Sequence, residues 1–332
     1  MPIPNAAGIF AERFTAQLLA GSPAGDPLAV AERLLAIQGQ DLRSARLAIR
    51  ARTKGLSSDD VDRALTEDRS MVISWLNRGT LHLVRSEDYA WLHALTTPPL
   101  HSVNARRLRE EGVTPPAAER GVALIRRSLA DDGPLTRQEL GQRLAAARIR
   151  VDGQALVHLL LLASLRGLIV RGPLVDGQQA FVLTRDWLGP PKPVVRDRAL
   201  AELARRFLAG HGPATDHDLA YWSGVPLRDA RAGLRAIGSE ITERGDGLVT
   251  FTSARASRAL PKPRLLGPFD PVLFGWTSRD VILGANGPAI VSGGTFRPFA
   301  LIRGRAAATW SIRAGSVVLK PFGRLTRSAA SA

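Results

Sequence analysis

Cysteine is absent from all 332 residues, which excludes disulfides, thiolate nucleophiles, iron–sulfur clusters and cysteine-based zinc sites. No apolar run approaches the roughly 20 residues that a membrane helix needs, and residues 1–5 carry no basic n-region of a signal peptide. The six histidines, at 82, 93, 101, 158, 211 and 217, form no HxxxH pair or carboxylate cluster, so no metal is expected. No glycine-rich loop has P-loop or dinucleotide spacing, and no cofactor is expected. Acidic residues are scarce, 30 against 45 basic ones, and lysine occurs only at 54, 192, 262 and 320. The formal charge of +15 is therefore carried almost wholly by arginine. Such a surplus points to a polyanionic partner, nucleic acid first, because each neutralised phosphate releases condensed counterions. A soluble cytoplasmic, nucleoid-associated protein without a membrane partner is the expectation.

What is present is enough apolar material for a large core, 45% of the chain, and a chain length suited to several domains. Around Ile37-Gln38-Gly39-Gln40-Asp41 two helix-like segments meet. Asp26-Pro27 opens the first, which the apolar spacing carries to near Gly39, and Asp41 is suited to cap the second. Two residues apart on a continuous helix point to nearly opposite sides. Gln38 and Gln40 therefore converge only if the backbone breaks between them, and Gly39, free to take positive φ, is the expected break.

Further along, 127–140 aligns without gaps on 206–219, sharing the arginine, Leu-Ala, Gly-Pro, threonine and final leucine positions. Each copy reads as a helix end, a Gly-Pro turn, a short helix capped by Thr136 or Thr215, a further helix (Gln154–Leu165 or Leu227–Ile237) and a hairpin turning at Asp176-Gly177 or Asp246-Gly247. An N-terminal helix over Ile9–Leu19, a helix after Ser57 or Ser58, strands at Met71–Leu76 and Thr80–Val84, and a helix from Ser86 precede them. Short strands at Phe299–Ile302, Ala306–Ile312 and Ser316–Leu319 follow. The reading is an α+β chain of three tandem winged-helix units and a small β-barrel-like C-terminal domain. Its divisions are 1–100, 101–190, 191–255, 256–326 and a tail at 327–332.

Four patterns in this order, Gln38-Gly39-Gln40-Asp41, Arg78-Gly79-Thr80-Leu81-His82, Leu265-Leu266-Gly267-Pro268-Phe269-Asp270, and Phe296-Arg297-Pro298 with Gly304 and Thr309-Trp310, resemble the bacterial winged-helix DNA glycosylases of the AlkZ and YcaQ type. The resemblance spans nearly the whole chain. It implies that Gln38 and Gln40 are catalytic; Gly39 stands where the family usually has an aliphatic residue. The second glutamine, where other members carry aspartate, implies the branch that unhooks bulky or crosslinking guanine adducts, often as self-resistance beside an antibiotic pathway.

Two amides cannot act as general bases at neutral pH, so their work must be orientation and electrostatics. An N7-alkylated guanine suits them, since it already carries positive charge and leaves without prior protonation. One carbonyl can accept a hydrogen bond from the attacking water and the other can face the oxocarbenium-like carbon. Double-stranded DNA containing alkylated guanine is thus the expected partner, bound by a monomer in an open cleft. Candidate DNA contacts are Arg43, Arg46 and Lys54 with Arg50 and Arg52 beside them, Arg166 and Arg171, Arg303 and Arg305 with Arg313, and Trp310, which alternatively belongs to the core. Arg78, Thr80 and His82 alternate along an expected strand and either contact a phosphate or line the lesion pocket. The competing reading is a non-catalytic winged-helix DNA-binding protein, a regulator or a factor that sequesters the drug.

Overall fold

The structure, a computed structural model, describes residues 6–191, 193–254 and 260–325; the expected tail at 327–332 lies outside them. The chain divides into two compact units, one made of Met1–Ser58 with Leu200–Ala332 and the other of Asp59–Ala199.

The first unit opens with α1 (Ala6–Ala16), α2 (Pro27–Leu34), a short strand β1 (Ile37–Gln38) and α3 (Leu42–Arg50). Asp26 caps α2 by accepting from the Ala29 amide at 2.7 Å, with Pro27 at the first helical position. The helix does not continue to Gly39. It stops at Leu34 because Leu35 turns to φ 62, a conformation that costs a β-carbon some strain.

The second unit begins with α4 (Ser58–Thr66), β2 (Met71–Trp75), β3 (Leu81–Arg85), α5 (Ser86–Thr96), α6 (Leu100–Glu110) and α7 (Pro115–Asp132). It continues through β4 (Leu135–Thr136), α8 (Arg137–Ala146), α9 (Ala155–Leu165), β5 (Ile169–Val175), β6 (Gln178–Leu183) and α10 (Thr184–Leu188). Its strands run β3-β2-β5-β6-β4. Pairing of Ile73 with Arg171 joins the two hairpins into one sheet. The β5–β6 turn is the expected Asp176-Gly177, both at positive φ as a two-residue hairpin turn of this hand requires. Ser86, where a helix was expected to begin, opens α5 and donates its hydroxyl to the Arg69 carbonyl at 2.5 Å.

The chain returns to the first unit through α11 (Arg196–His211), α12 (Asp216–Ser223), α13 (Leu227–Ala236), β7 (Ile241–Glu243) and β8 (Val249–Phe251). There follow β9 (Arg264–Leu266), α14 (Asp280–Leu283), α15 (Gly287–Ile290), β10 (Val291–Ser292), β11 (Thr295–Phe296), β12 (Phe299–Ile302), β13 (Arg305–Arg313) and β14 (Ser316–Pro321). The expected barrel is not formed. The C-terminal sheet has four antiparallel strands in the order β14-β13-β12-β9 and stays open among the described residues. Four strands, one of them only three residues long, are too few to close around a filled interior.

Candidate active site

Gln38 ends β1 and Gln40 precedes α3 by two residues, so the pair lies on a segment leaving an extended strand. Only Ile37 and Gln38 are extended, and Gln40 already lies in a bend. What brings the amides out of helical register is therefore the early stop at Leu35, not a left-handed turn at Gly39. Gln38 is buried, 5% exposed, and engaged; Gln40 is exposed.

Asp41 caps α3. Its Oδ2 accepts from the Ser44 amide at 3.0 Å and the Ser44 hydroxyl at 2.6 Å, while Oδ1 accepts from the Arg43 amide at 3.3 Å. Both carboxylate oxygens are occupied in capping, which leaves Asp41 poorly suited to serve as a base. Its charge also offsets the positive end of the helix dipole beside the glutamines.

The basic residues after the pair separate into two kinds. Arg43, Arg50 and Lys54 are exposed and Arg46 is half-buried. Arg52 is entirely buried, in contrast to its expected place among the phosphate contacts. Its two terminal nitrogens meet Asp270 at 2.9 and 2.8 Å, and it also donates to the Ala48 carbonyl and to both oxygens of Gln17. Sequence spacing hid this, because an arginine two residues past a helix end resembles its solvated neighbours. The only signal was that Asp270 closes the Leu265–Asp270 motif.

In the second unit, Arg78, Thr80 and His82 do not alternate along one strand. Arg78 sits at φ 56 and Gly79 at φ 76 in the tight turn between β2 and β3. His82 lies in β3 opposite Ser74 and is 2% exposed, because both faces of the hairpin are covered. Burial, reinforced by the nearby charge of Arg78, lowers the imidazole to about 3 against the pull of the Thr80 carbonyl, 2.9 Å from Nδ1. A neutral imidazole brings no charge to a phosphate. Asn77, which sequence reasoning passed over, is fully buried in the same turn with neither amide atom hydrogen-bonded. Such a group suits a bound water or a polar ligand edge.

Arg166 is exposed and forms a two-pronged pair with Glu119. Arg171 is half-buried over the rings of Trp75 and Phe181, and desolvation, then the charge of Arg137, lowers it to about 10, so it stays cationic at neutral pH. Arg303 and Arg305 are exposed at the β12–β13 turn, where Arg303 takes φ 49. Trp310 is a core residue, 8% exposed, with its indole donating to the Leu266 carbonyl at 2.8 Å.

A recess of about 660 Å³ in the first unit, lined by Glu12, Thr15, Arg33, Arg206 and Phe251 among others, contains neither glutamine. Its arginines already donate to the backbone, Arg206 to Glu32 and Arg33 to Ala209, so we do not place the chemistry there. Among the described residues no three His, Asp or Glu side chains gather as a metal site, and no helix is long and apolar enough to cross a membrane.

Comparison at chain level identifies the family. The family profile described as "DNA glycosylase AlkZ-like" matches residues 31–332. The chain belongs to the AlkZ-like DNA glycosylase family. A similar protein from Streptomyces sahachiroi, described as "Interstrand DNA cross-link repair glycosylase", is 28% identical over 339 residues, covering 95% of this chain and 90% of that protein. The solved structure of Streptomyces sahachiroi DNA glycosylase AlkZ superposes with a TM-score of 0.79 at 26% identity, covering 98% of this chain and 93% of that one. An AlkZ-like enzyme of mixed helix and sheet is thus established.

Proposed function

We propose that this AlkZ-like enzyme is a monofunctional glycosylase that hydrolyses the N-glycosidic bond of N7-alkylguanine in duplex DNA, bulky adducts and interstrand crosslinks included. The observation that carries the reading is the site at the head of α3. There two amides stand next to a carboxylate already engaged in capping, an arrangement that can orient water and face positive charge without a titrating base. The leaving group of an N7-alkylguanine needs no acid, so the missing proton donor is no handicap. The Asp41 cap keeps the helix dipole from repelling a cationic lesion. The description of the Streptomyces sahachiroi relative supports extension to crosslinks, and the proposal includes a role in tolerating DNA-alkylating natural products.

The three helix–hairpin stretches (1–100, 101–190, 191–255) act in this reading as winged-helix modules of one cytoplasmic, nucleoid-associated monomer, with 256–326 as support. We assign the DNA-facing helix of the third module to α13. Its Arg228, Arg231 and Arg235 are exposed at i, i+3 and i+7, on one side, opposite buried Ala230, Gly233 and Leu234. Exposed Arg43, Lys54, Arg303 and Arg305 add phosphate contacts that ignore sequence, as a lesion-seeking enzyme needs.

The test is incubation with a duplex carrying one N7-methylguanine, followed by alkaline cleavage at abasic sites. Wild-type enzyme cuts; the Gln38→Ala, Gln40→Ala double variant binds the duplex but loses about 100-fold or more in rate. Equal cutting by both proteins defeats the residue assignment. Tight duplex binding with no cutting by the wild-type enzyme favours the non-catalytic reading.

A further inference from the structure

The Leu265–Asp270 motif and Trp310 have no place in the chemistry just described, yet the polar side chains of Arg264, Asp270 and Trp310 are all committed. Arg264, at the head of β9, donates to the carbonyl of Ala51, the residue that closes α3, at 2.7 Å, and to Leu19 at 3.3 Å. Gly267 lies against the middle of the same helix. A β-carbon there would stand 3.1 Å from Cβ and Cδ1 of Leu47 and 3.7 Å from Cα of Ser44. Asp270 grips Arg52, two residues beyond the helix, and is itself held by the Val272 amide at 3.0 Å. The strand end that carries these groups is fixed in turn by the Trp310 indole on the Leu266 carbonyl.

We propose that residues 264–270 are a clamp on α3, with Gly267 and Asp270 as positioning residues for Gln40 and the cap at Asp41. The proposal rests on the assignment of the glutamines above. Three contacts spread from the middle of α3 to beyond its end fix both its axis and its rotation, and the helix begins two residues after Gln40. A fully buried ion pair adds little net stability over an apolar pair of the same volume, because desolvation offsets its attraction. Its value lies in direction: a two-pronged arginine–carboxylate contact tolerates one geometry, whereas apolar side chains slide. A site that works by orienting water is sensitive to such shifts, since misplacement by about 1 Å from afar can cost roughly 100-fold in rate.

The experiment measures single-turnover excision of N7-methylguanine, duplex affinity and melting temperature on the full chain. The variants are Gly267→Ala, Asp270→Asn and, as a stability-matched control, Leu160→Ala on α9, where a wholly buried leucine is removed away from the clamp. Gly267→Ala is expected to slow excision about tenfold with unchanged affinity, Asp270→Asn more, and Leu160→Ala less than twofold despite an equal or larger loss of melting temperature. Adding Leu47→Gly to Gly267→Ala removes both contacting carbons and restores the rate to that of Leu47→Gly alone. Clamp variants no slower than the control, or no such restoration, overturn the proposal. If Asp270→Asn does not fold, the Gly267 pair decides alone. The Gln38→Ala, Gln40→Ala protein is measured alongside. Inactivity there with clamp variants at wild-type rate sinks the clamp alone, whereas wild-type activity there removes the glutamine assignment and the clamp with it.

Discussion

The two copies of the internal repeat start alike and end differently. In both, a threonine and an acid three residues on satisfy each other's backbone amides, Thr136 with Glu139 and Thr215 with Asp218. In both, the residue before that threonine pairs with the second strand of the hairpin, Leu135 with Phe181 and Ala214 with Val249. The helices that follow diverge. Nine of the eleven residues of α9 are buried, since α6, α7 and the sheet surround it. α13 buries only one face and turns three arginines to solvent. A helix apolar on every side is a core element. The shared front half thus specifies the local turn, and the composition of the third helix decides whether a copy is packed inside the fold or turns a basic face to solvent.

The comparison breaks most readily at α9. Leu160→Ala, at a wholly buried site, should cost about 2–5 kcal/mol of stability by denaturant unfolding while leaving the salt dependence of duplex binding unchanged. Replacing Arg228, Arg231 and Arg235 by alanine should do the reverse. Melting is nearly unaltered, and the slope of log affinity against log salt becomes shallower by about 2–3. An unchanged slope would return α13 to an ordinary solvated helix.

Acid should act on both units alike, through one buried histidine in each. His82 in β3 and His211 in α11 are both lowered to about 3, chiefly by burial. The unfolded chain takes up protons near pH 6.5 and the folded one only near 3, so stability is full above about 6.5 and falls as pH drops toward 3. Melting curves should show this decline, and His82→Gln with His211→Gln should flatten it. The smallest effect is at the shared caps, where Thr136→Ala and Thr215→Ala should each cost about 1 kcal/mol. A much larger loss at Thr215 would reveal the second tie of Asp218, which also accepts from Thr277 at 2.8 and 3.0 Å.

Local signals made much of this legible. Asp26, Asp41, Thr136 and Thr215 cap helices as their positions suggest, and Asp176-Gly177 turns a hairpin. Features that depend on tertiary burial were not legible. Leucine carries no signal for the left-handed turn at Leu35, so α2 was expected to run on to Gly39. Arg52 resembles a surface arginine until Asp270, more than two hundred residues away, comes beside it. The spacing of Arg78, Thr80 and His82 mimics strand alternation, but the strand begins only at Leu81 and His82 lies in it with both faces covered. The expected barrel failed because strand count, unlike strand existence, is a property of the assembled sheet.

The central claim is that uncharged amides carry the hydrolysis, and the rate as a function of pH addresses it most directly. Single-turnover excision of N7-methylguanine by the wild-type enzyme should be flat from about pH 4 to 9, and Gln40→Asp should introduce a fall in rate below about pH 5, where its carboxylate takes up a proton. A wild-type profile that rises through an apparent pKa inside that range would show a titrating base at work and contradict the account.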